Sequence, residues 1–335
     1  MNRRIKILVL LSINVLASCT RTSQPDQRFE YTHKSMGTLF RIVCFSQDKE
    51  LADSMSVRAF RRIDDLNNIM SDYLPDSELN KLSRTSGSGN YVDISPDLYK
   101  ILDLSCQWSE KTNGIFDITI GPYSQLWRRA GRKELLPTPE QIKRASESIG
   151  YKYIRLDHEQ QFHVLLVKPH MQLDLGGIAK GFTVDELYHL FARAGIHQVL
   201  IDGGGDIYAG DPPPGRKGWK IVLENQEDNK QIIQLSNAAI ATSGDLYRYV
   251  LIDSVRYSHI IDPRTGYGLT TRKTVTVQAG NCTEADVLAS ALSVWEPKEG
   301  LKFLRTVAHT KAVIIQDNDG NIERFEKGKL DYIYK

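Results

Sequence analysis

Two oxygen-bearing side chains stand four residues apart in "CTEADVLASAL", Asp286 and Ser290. On a helix that spacing puts them on one face, where a carboxylate and a hydroxyl offer two ligands to a hard cation such as magnesium. The same stretch also fits a capping box, with Thr283 and Asp286 closing the first turn. A second stretch, "DLGGIAKG", sets Gly176, Gly177 and Gly181 around Lys180. The glycines either let a strand turn tightly into a packed helix or bring backbone and an ammonium group up to a phosphate. "SHIIDPRTG" places His259 before a proline-stiffened turn; an imidazole there is a structural residue or a base that titrates near neutrality. "IDGGGDI" is most simply a bent strand where backbones approach closely. Tyr73, in "MSDY", is either a core tyrosine or an aromatic face for a planar ring.

These residues need elements to hold them. "THKSMGTLFRIVCF" alternates as a strand, and residues 49–70 put Leu51, Met55, Ala59, Ile63, Leu66 and Met70 on one helical face. Ser95 and Pro96 start a second helix that ends at Asn113-Gly114, and a third begins at "TPEQIKRASES". "YKYIRLD" and "QFHVLLVK" read as strands, and a helix follows from about Gly177 through Phe182, Leu187 and Phe191. "HQVLIDGGGDIYAG" reads as a strand with a glycine-rich exit, and "WKIVLEN", "QIIQLSN", "AAIAT", "YSHIID" and "KTVTVQA" as further strands. "CTEADVLASALSV" is a short helix, and the chain closes on a hairpin around Asn318 to Gly320. Long helices followed by strands mixed with helices predict an α+β fold of mixed sheets and packed helices. It is one domain over residues 31–335, undivided or built as two subdomains with the site between them.

Composition is that of an ordinary soluble protein: 335 residues, 41% hydrophobic and 25% charged. A chain of this size buries roughly 75% of its extended surface without staples. The N-terminal "MNRRIKILVLLSINVLASCT" has a basic start, an apolar run and small residues before Cys19, the pattern of a secretory signal over residues 1–18. "LASC" resembles a bacterial lipobox, so Cys19 is expected to carry lipid and residues 19–30 to tether the domain to a membrane. Without the three leader cations the 43 Lys and Arg become 40 against 41 Asp and Glu, a nearly neutral chain with no basic stripe for nucleic acid. Cys44, Cys106 and Cys282 have no framework spacing and are expected to be isolated small hydrophobes. No P-loop, dinucleotide-binding glycine turn, zinc-protease helix or nucleophile elbow is present.

Taken in order, "SMGT", "DLGGIAKG", "DGGGD", "TSGD", "HIIDPRTG" and "ADVLASAL" resemble the FAD:protein FMN transferase family, also called ApbE, from about Met36 to Ser290. That resemblance implies a magnesium-dependent enzyme that cleaves FAD at its pyrophosphate, attaches FMN to a threonine of a partner flavoprotein and releases AMP. It further implies metal ligation by Asp286, Ser290 (where the family more often has threonine) and the backbone carbonyl of Gly177. Met36, Tyr73, Ile115, Phe116, Asp117, Asp174, Lys180 and Ile260 match FAD contacts, and His259 matches a catalytic histidine. The expected partner is an extracytoplasmic flavoprotein with an acceptor threonine, of the electron-transport subunit type. Such partners favour the inner membrane, with the body of the protein in the periplasm, although Thr20 is not an obvious retention residue for it. Two other readings stand beside transfer: an FAD pyrophosphatase giving free FMN and AMP, and a lipoprotein that binds FAD without turnover.

Overall fold

The computed structural model describes residues 26–160, 162–223, 231–244, 249–318 and 320–333. The predicted leader, Cys19 and part of "ATSGDLYRY" lie outside them. In chain order the first half forms strands β1 (Gln27–Ser35) and β2 (Thr38–Ser46), helices α1 (Lys49–Met70) and α2 (Glu78–Ser83), and strand β3 (Val92–Asp93). Helices α3 (Pro96–Lys111), α4 (Gly121–Lys133) and α5 (Pro139–Ser146) follow, then strands β4 (Ile154–Leu156) and β5 (His163–Leu166) and helix α6 (Ala179–Arg193). Strands β6 (Val199–Gly203), β7 (Ile207–Ala209), β8 (Trp219–Leu223), β9 (Gln231–Leu235) and β10 (Ala238–Gly244) come next. The rest is β11 (Tyr249–Ile252), β12 (Val255–Ser258), β13 (Arg272–Ala279), α7 (Cys282–Val294), α8 (Pro297–Leu304), β14 (Lys311–Asn318) and β15 (Asn321–Lys327).

Eight strands form one sheet in the order β1-β2-β6-β7-β10-β13-β14-β15, antiparallel at every junction. Because side chains alternate across a strand, neighbouring residues feed different cores. Ile42, Ile201, Ala241 and Ile314 point to the main core under α1, α6 and α7. Val43, Leu200, Ile240 and Val313 point to the opposite face, which the β8–β9 hairpin covers with Trp219, Ile221, Ile233 and Leu235. A third cluster joins Tyr123 and Trp127 of α4 to Ile142 of α5 and to Ile252 and Ile261 beside the β11–β12 hairpin. This is the predicted α+β class. The main core runs without a break from the sheet to α1, α3, α6 and α7, which favours the undivided form of the prediction.

Helix α1 has the predicted bounds, capped by Asp48, whose side chain accepts from Leu51 N–H. Ser95 likewise caps α3, with Pro96 in its first turn. Two single-strand readings are corrected to hairpins. Residues 32–45 turn back at Met36 and Gly37, which adopt φ of 49° and 70°, with β1 starting already at Gln27, inside the expected tether, and β6 turns into β7 through the triple glycine. Helix α6 begins at Ala179, two residues after the expected start. Cys44 and Cys282 are buried, Cys106 is half-buried, and all three are free thiols; burial pushes Cys44 up to about 11 and Cys106 up to about 12. Among the described residues no helix is long and apolar enough to cross a membrane.

Phe191 of α6 is fully buried in the main core. Phe191→Ala is expected to cost about 3–5 kcal/mol through lost burial and a residual cavity, read as a lowered midpoint in urea unfolding.

Candidate functional site

Helix α7 is buried on nearly every side, so a polar side chain within it must find a partner. Its N-terminus is already capped. Asn281 accepts from Glu284 N–H at 2.8 Å, and Asp185 of α6 accepts from Cys282 N–H and Thr283 N–H at 2.8 Å each and from the Thr283 hydroxyl at 2.6 Å. The capping-box reading of Thr283 and Asp286 is therefore set aside, and Asp286 is left for another role. Its carboxylate accepts from Gly181 N–H at 3.1 Å and lies 4.0 Å from the Lys180 ammonium. One turn on, Ser290 faces the glycine bend: a Cβ built on Gly177 would lie 2.9 Å from Ser290 Oγ and 3.3 Å from the Phe116 ring. A Cβ on Gly181 would fall 2.4 Å from the Cys282 carbonyl oxygen. The glycines thus permit close approach of α6 to α7, which carries the acid and the hydroxyl.

Lys180 is not a bare cation waiting for a phosphate. Its ammonium donates to Asp206, which is 2% exposed at the end of the β6–β7 turn. Burial works against the ammonium's charge, but Asp206 and Asp286 outweigh it and hold the lysine above its ordinary range. Burial pushes Asp206 up to about 7, with Asp286 adding to the rise and Lys180 opposing it. Two carboxyl groups thus face one ammonium.

Among the described residues no group of three or more acidic, histidine or cysteine side chains is placed to hold a metal. The donors present are instead one carboxylate, one hydroxyl and the adjoining glycine backbone. That sparse, all-oxygen set fits magnesium, which commonly takes one or two carboxylates and completes its shell with water and substrate phosphate.

The other predicted residues surround this point to different degrees. Asp174 Oδ1 accepts from Gly176 N–H at 2.9 Å, shaping the bend. Its N–H donates to the Ile118 carbonyl at 2.7 Å, which brings the segment carrying Ile115, Phe116 and Asp117 alongside. The Asp117 carboxylate is occupied locally, accepting from Thr119 N–H and hydroxyl at 2.8 and 2.7 Å and from Tyr151 N–H at 2.9 Å; burial pushes it up despite those bonds. Met36, in the β1–β2 turn, receives the Thr183 hydroxyl on its sulfur at 3.6 Å, one turn along α6 from Lys180. Tyr73 is 74% exposed, which overturns the core-tyrosine alternative. The Arg128 guanidinium lies over its ring, 3.9 Å from the centroid. His259 is exposed in the bend just after β12, and Ile260 packs half-buried against the main core.

Three charged residues escaped the sequence reading as site members: Asp206, Arg128 and Asp72. Asp206 had a signal, since it closes "DGGGD". Arg128 pairs with Asp72 and lies 3.6 Å from Asp174. Burial and the Asp174 charge push Asp72 up to about 6, against the pull of Arg128.

Known proteins share the family profile and the fold. A profile of the ApbE family matches residues 36–314. A Vibrio cholerae protein named FAD:protein FMN transferase is 29% identical over 323 residues, covering 94% of each chain. A Treponema pallidum protein of the same name is 28% identical over 330 residues, covering 93% of this chain and 90% of its own. Among solved structures, the flavin transferase ApbE of Vibrio cholerae superposes with a TM-score of 0.81 at 27% identity, covering 90% of this chain and 97% of its own. The ApbE protein of Thermotoga maritima gives 0.79 at 29% identity, covering 89% and 97%. The match runs from the Met36 turn through the glycine bend and α7 into β14, so the chain belongs to the ApbE family.

Proposed function

We propose that this chain is a flavin transferase that cleaves FAD and places FMN on a threonine hydroxyl of a partner flavoprotein, releasing AMP. One observation supports the reading: Asp286 lies against Gly181 and Ser290, one turn on, against Gly177, in a chain whose relatives are named for this reaction. Asp286, Ser290 and the Gly177 carbonyl would hold magnesium there, and a bound divalent ion would neutralise phosphate charge so that an oxygen nucleophile can approach. The protein's own contribution is positioning and electrostatics, on which phosphoryl-type transfer chiefly depends. Lys180, tied to Asp206, keeps the Asp286 carboxylate company and fixes the charge balance of the pocket. Tyr73 supplies an exposed ring on which the isoalloxazine stacks. Met36, Asp174, Ile260 and the 115–117 segment complete the FAD contacts that the family resemblance implies.

In the transfer step the threonine oxygen forms a bond to the FMN phosphorus. The bridging oxygen leaves with its electron pair as part of AMP, and the threonine proton passes to His259. Histidine suits that role because its ordinary titration range spans neutral pH. The proposal extends to location: lipid on Cys19 would hold the enzyme at the envelope membrane, beside partners of the electron-transport type.

The reading is tested by incubating the mature domain with FAD, magnesium and a fragment carrying a flavinylation threonine, followed by mass spectrometry and an AMP assay. A stable gain of one FMN on the fragment is expected, with AMP released in step. AMP without an adduct would replace transfer by hydrolysis, and neither product would leave FAD binding alone.

A further inference from the structure

Arg128 belongs to none of the motifs that mark the site, yet it touches two of the stretches that do. It rises from α4, a helix fixed in place by the Trp127 indole N–H donating to the Gly266 carbonyl at 2.8 Å. Its guanidinium covers one face of the Tyr73 ring at 3.9 Å, donates to Asp72, and lies 3.6 Å from Asp174. Asp174 in turn shapes the glycine bend through Gly176 N–H at 2.9 Å.

The loop bearing Tyr73 is held at its backbone. Ser71 Oγ accepts from Tyr73 N–H at 3.2 Å and from Leu74 N–H at 3.3 Å. Asn80 donates to the Asp72 and Leu74 carbonyls at 3.2 and 2.8 Å. The phenol ring itself is 74% exposed, and the guanidinium is the cation stacked on it. An exposed ring that must receive a planar ligand loses rotamer freedom on binding, and a group that already holds it in place removes part of that cost. A guanidinium does so well, being planar and drawn to the ring face, and Tyr73 stays 74% exposed with it in place.

We infer that Arg128 is a positioning residue for the flavin. It holds the Tyr73 ring for stacking and, through Asp174, fixes that ring relative to the bend where the phosphates sit. The inference rests on the reading of Tyr73 as the flavin platform and adds a residue to it. A lysine would keep the charge for Asp72 and Asp174 but not the planar stack.

The test uses the full mature protein and FAD without added metal, with affinity read from titration and stacking read from quenching of flavin fluorescence. The variants are Arg128→Met, Arg128→Lys, Tyr73→Ala and the Tyr73→Ala/Arg128→Met double variant, each checked by thermal melting. Arg128→Met is expected to weaken FAD binding about tenfold and to diminish quenching. Arg128→Lys is expected to melt like the parent yet still to lose quenching. Within the Tyr73→Ala background, Arg128→Met should cost less than about twofold, because the partner through which it acts is gone. Unchanged affinity and quenching in Tyr73→Ala would sink the platform reading itself. A weakened Tyr73→Ala beside unaffected Arg128 variants would overturn the Arg128 inference alone. Equal losses from Arg128→Met in both backgrounds would overturn it too, since the residue would then act without the ring. Should Arg128→Met fail to fold, Arg128→Lys decides the matter: normal quenching in that variant overturns the inference.

Discussion

Asp286→Asn is expected to abolish metal-dependent turnover, lowering AMP release and adduct formation by about a thousandfold or more. The substitution keeps shape and leaves an amide oxygen to accept the Gly181 N–H that Asp286 holds at 3.1 Å. What it removes is one of the two carboxyl groups facing Lys180. The pocket then loses the carboxylate that α7 presents to the glycine bend, and with it a ligand for the cation. Thermal melting should show a folded protein, because α7 is capped by Asn281 and Asp185 and not by Asp286. Steady-state AMP release across a magnesium titration is the measurement. Turnover within about threefold of the parent at every magnesium concentration would remove Asp286 from the site.

The second large effect belongs to His259→Ala. Loss of a general base typically slows a reaction by about 10²–10⁴-fold, and that range is expected for FMN transfer at saturating FAD. FAD affinity should change little, because a general base acts on the acceptor hydroxyl and not on the dinucleotide. His259 is exposed in the bend after β12, next to Ile260. Single-turnover transfer followed by mass spectrometry, with an FAD titration in parallel, separates the two quantities. A variant that no longer bound FAD, or that transferred FMN at the parent rate, would end the assignment of His259 as the base.

Much of this was legible in the residues. The apolar spacing of α1 gave its limits, and the Asp286–Ser290 interval on a helix marked the one face of α7 on which a carboxylate and a hydroxyl could meet. The two hairpins were not legible, because alternation continues smoothly through a tight turn. At Met36 nothing in the residue type announces a positive φ, and at "DGGGD" three glycines read equally well as a bend. Helix α2 is six residues long, too short for its period to show. Helix α4 opens on Gly121-Pro122, which reads as a turn before it reads as a helix. The charged network was hidden for a different reason. Arg128 meets Asp72 across 56 positions, and Lys180 meets Asp206 across 26. Local periodicity carries no information about pairs so far apart, whereas an acid and a hydroxyl on one helix announce themselves. The same tertiary pairing ties Lys180 to Asp206 and sets it near Asp286, which the spacing of the glycines could not show.

The central claim is that the glycine bend and α7 together hold a divalent ion against the phosphates of FAD. Crystals grown with FAD and manganese, a stand-in for magnesium with a usable anomalous signal, test it directly. The expected result is one anomalous peak within about 2.5 Å of the Asp286 carboxylate, Ser290 Oγ and a phosphate oxygen of the dinucleotide. A peak seated elsewhere, or FAD bound with its phosphates turned away from α7, would contradict it.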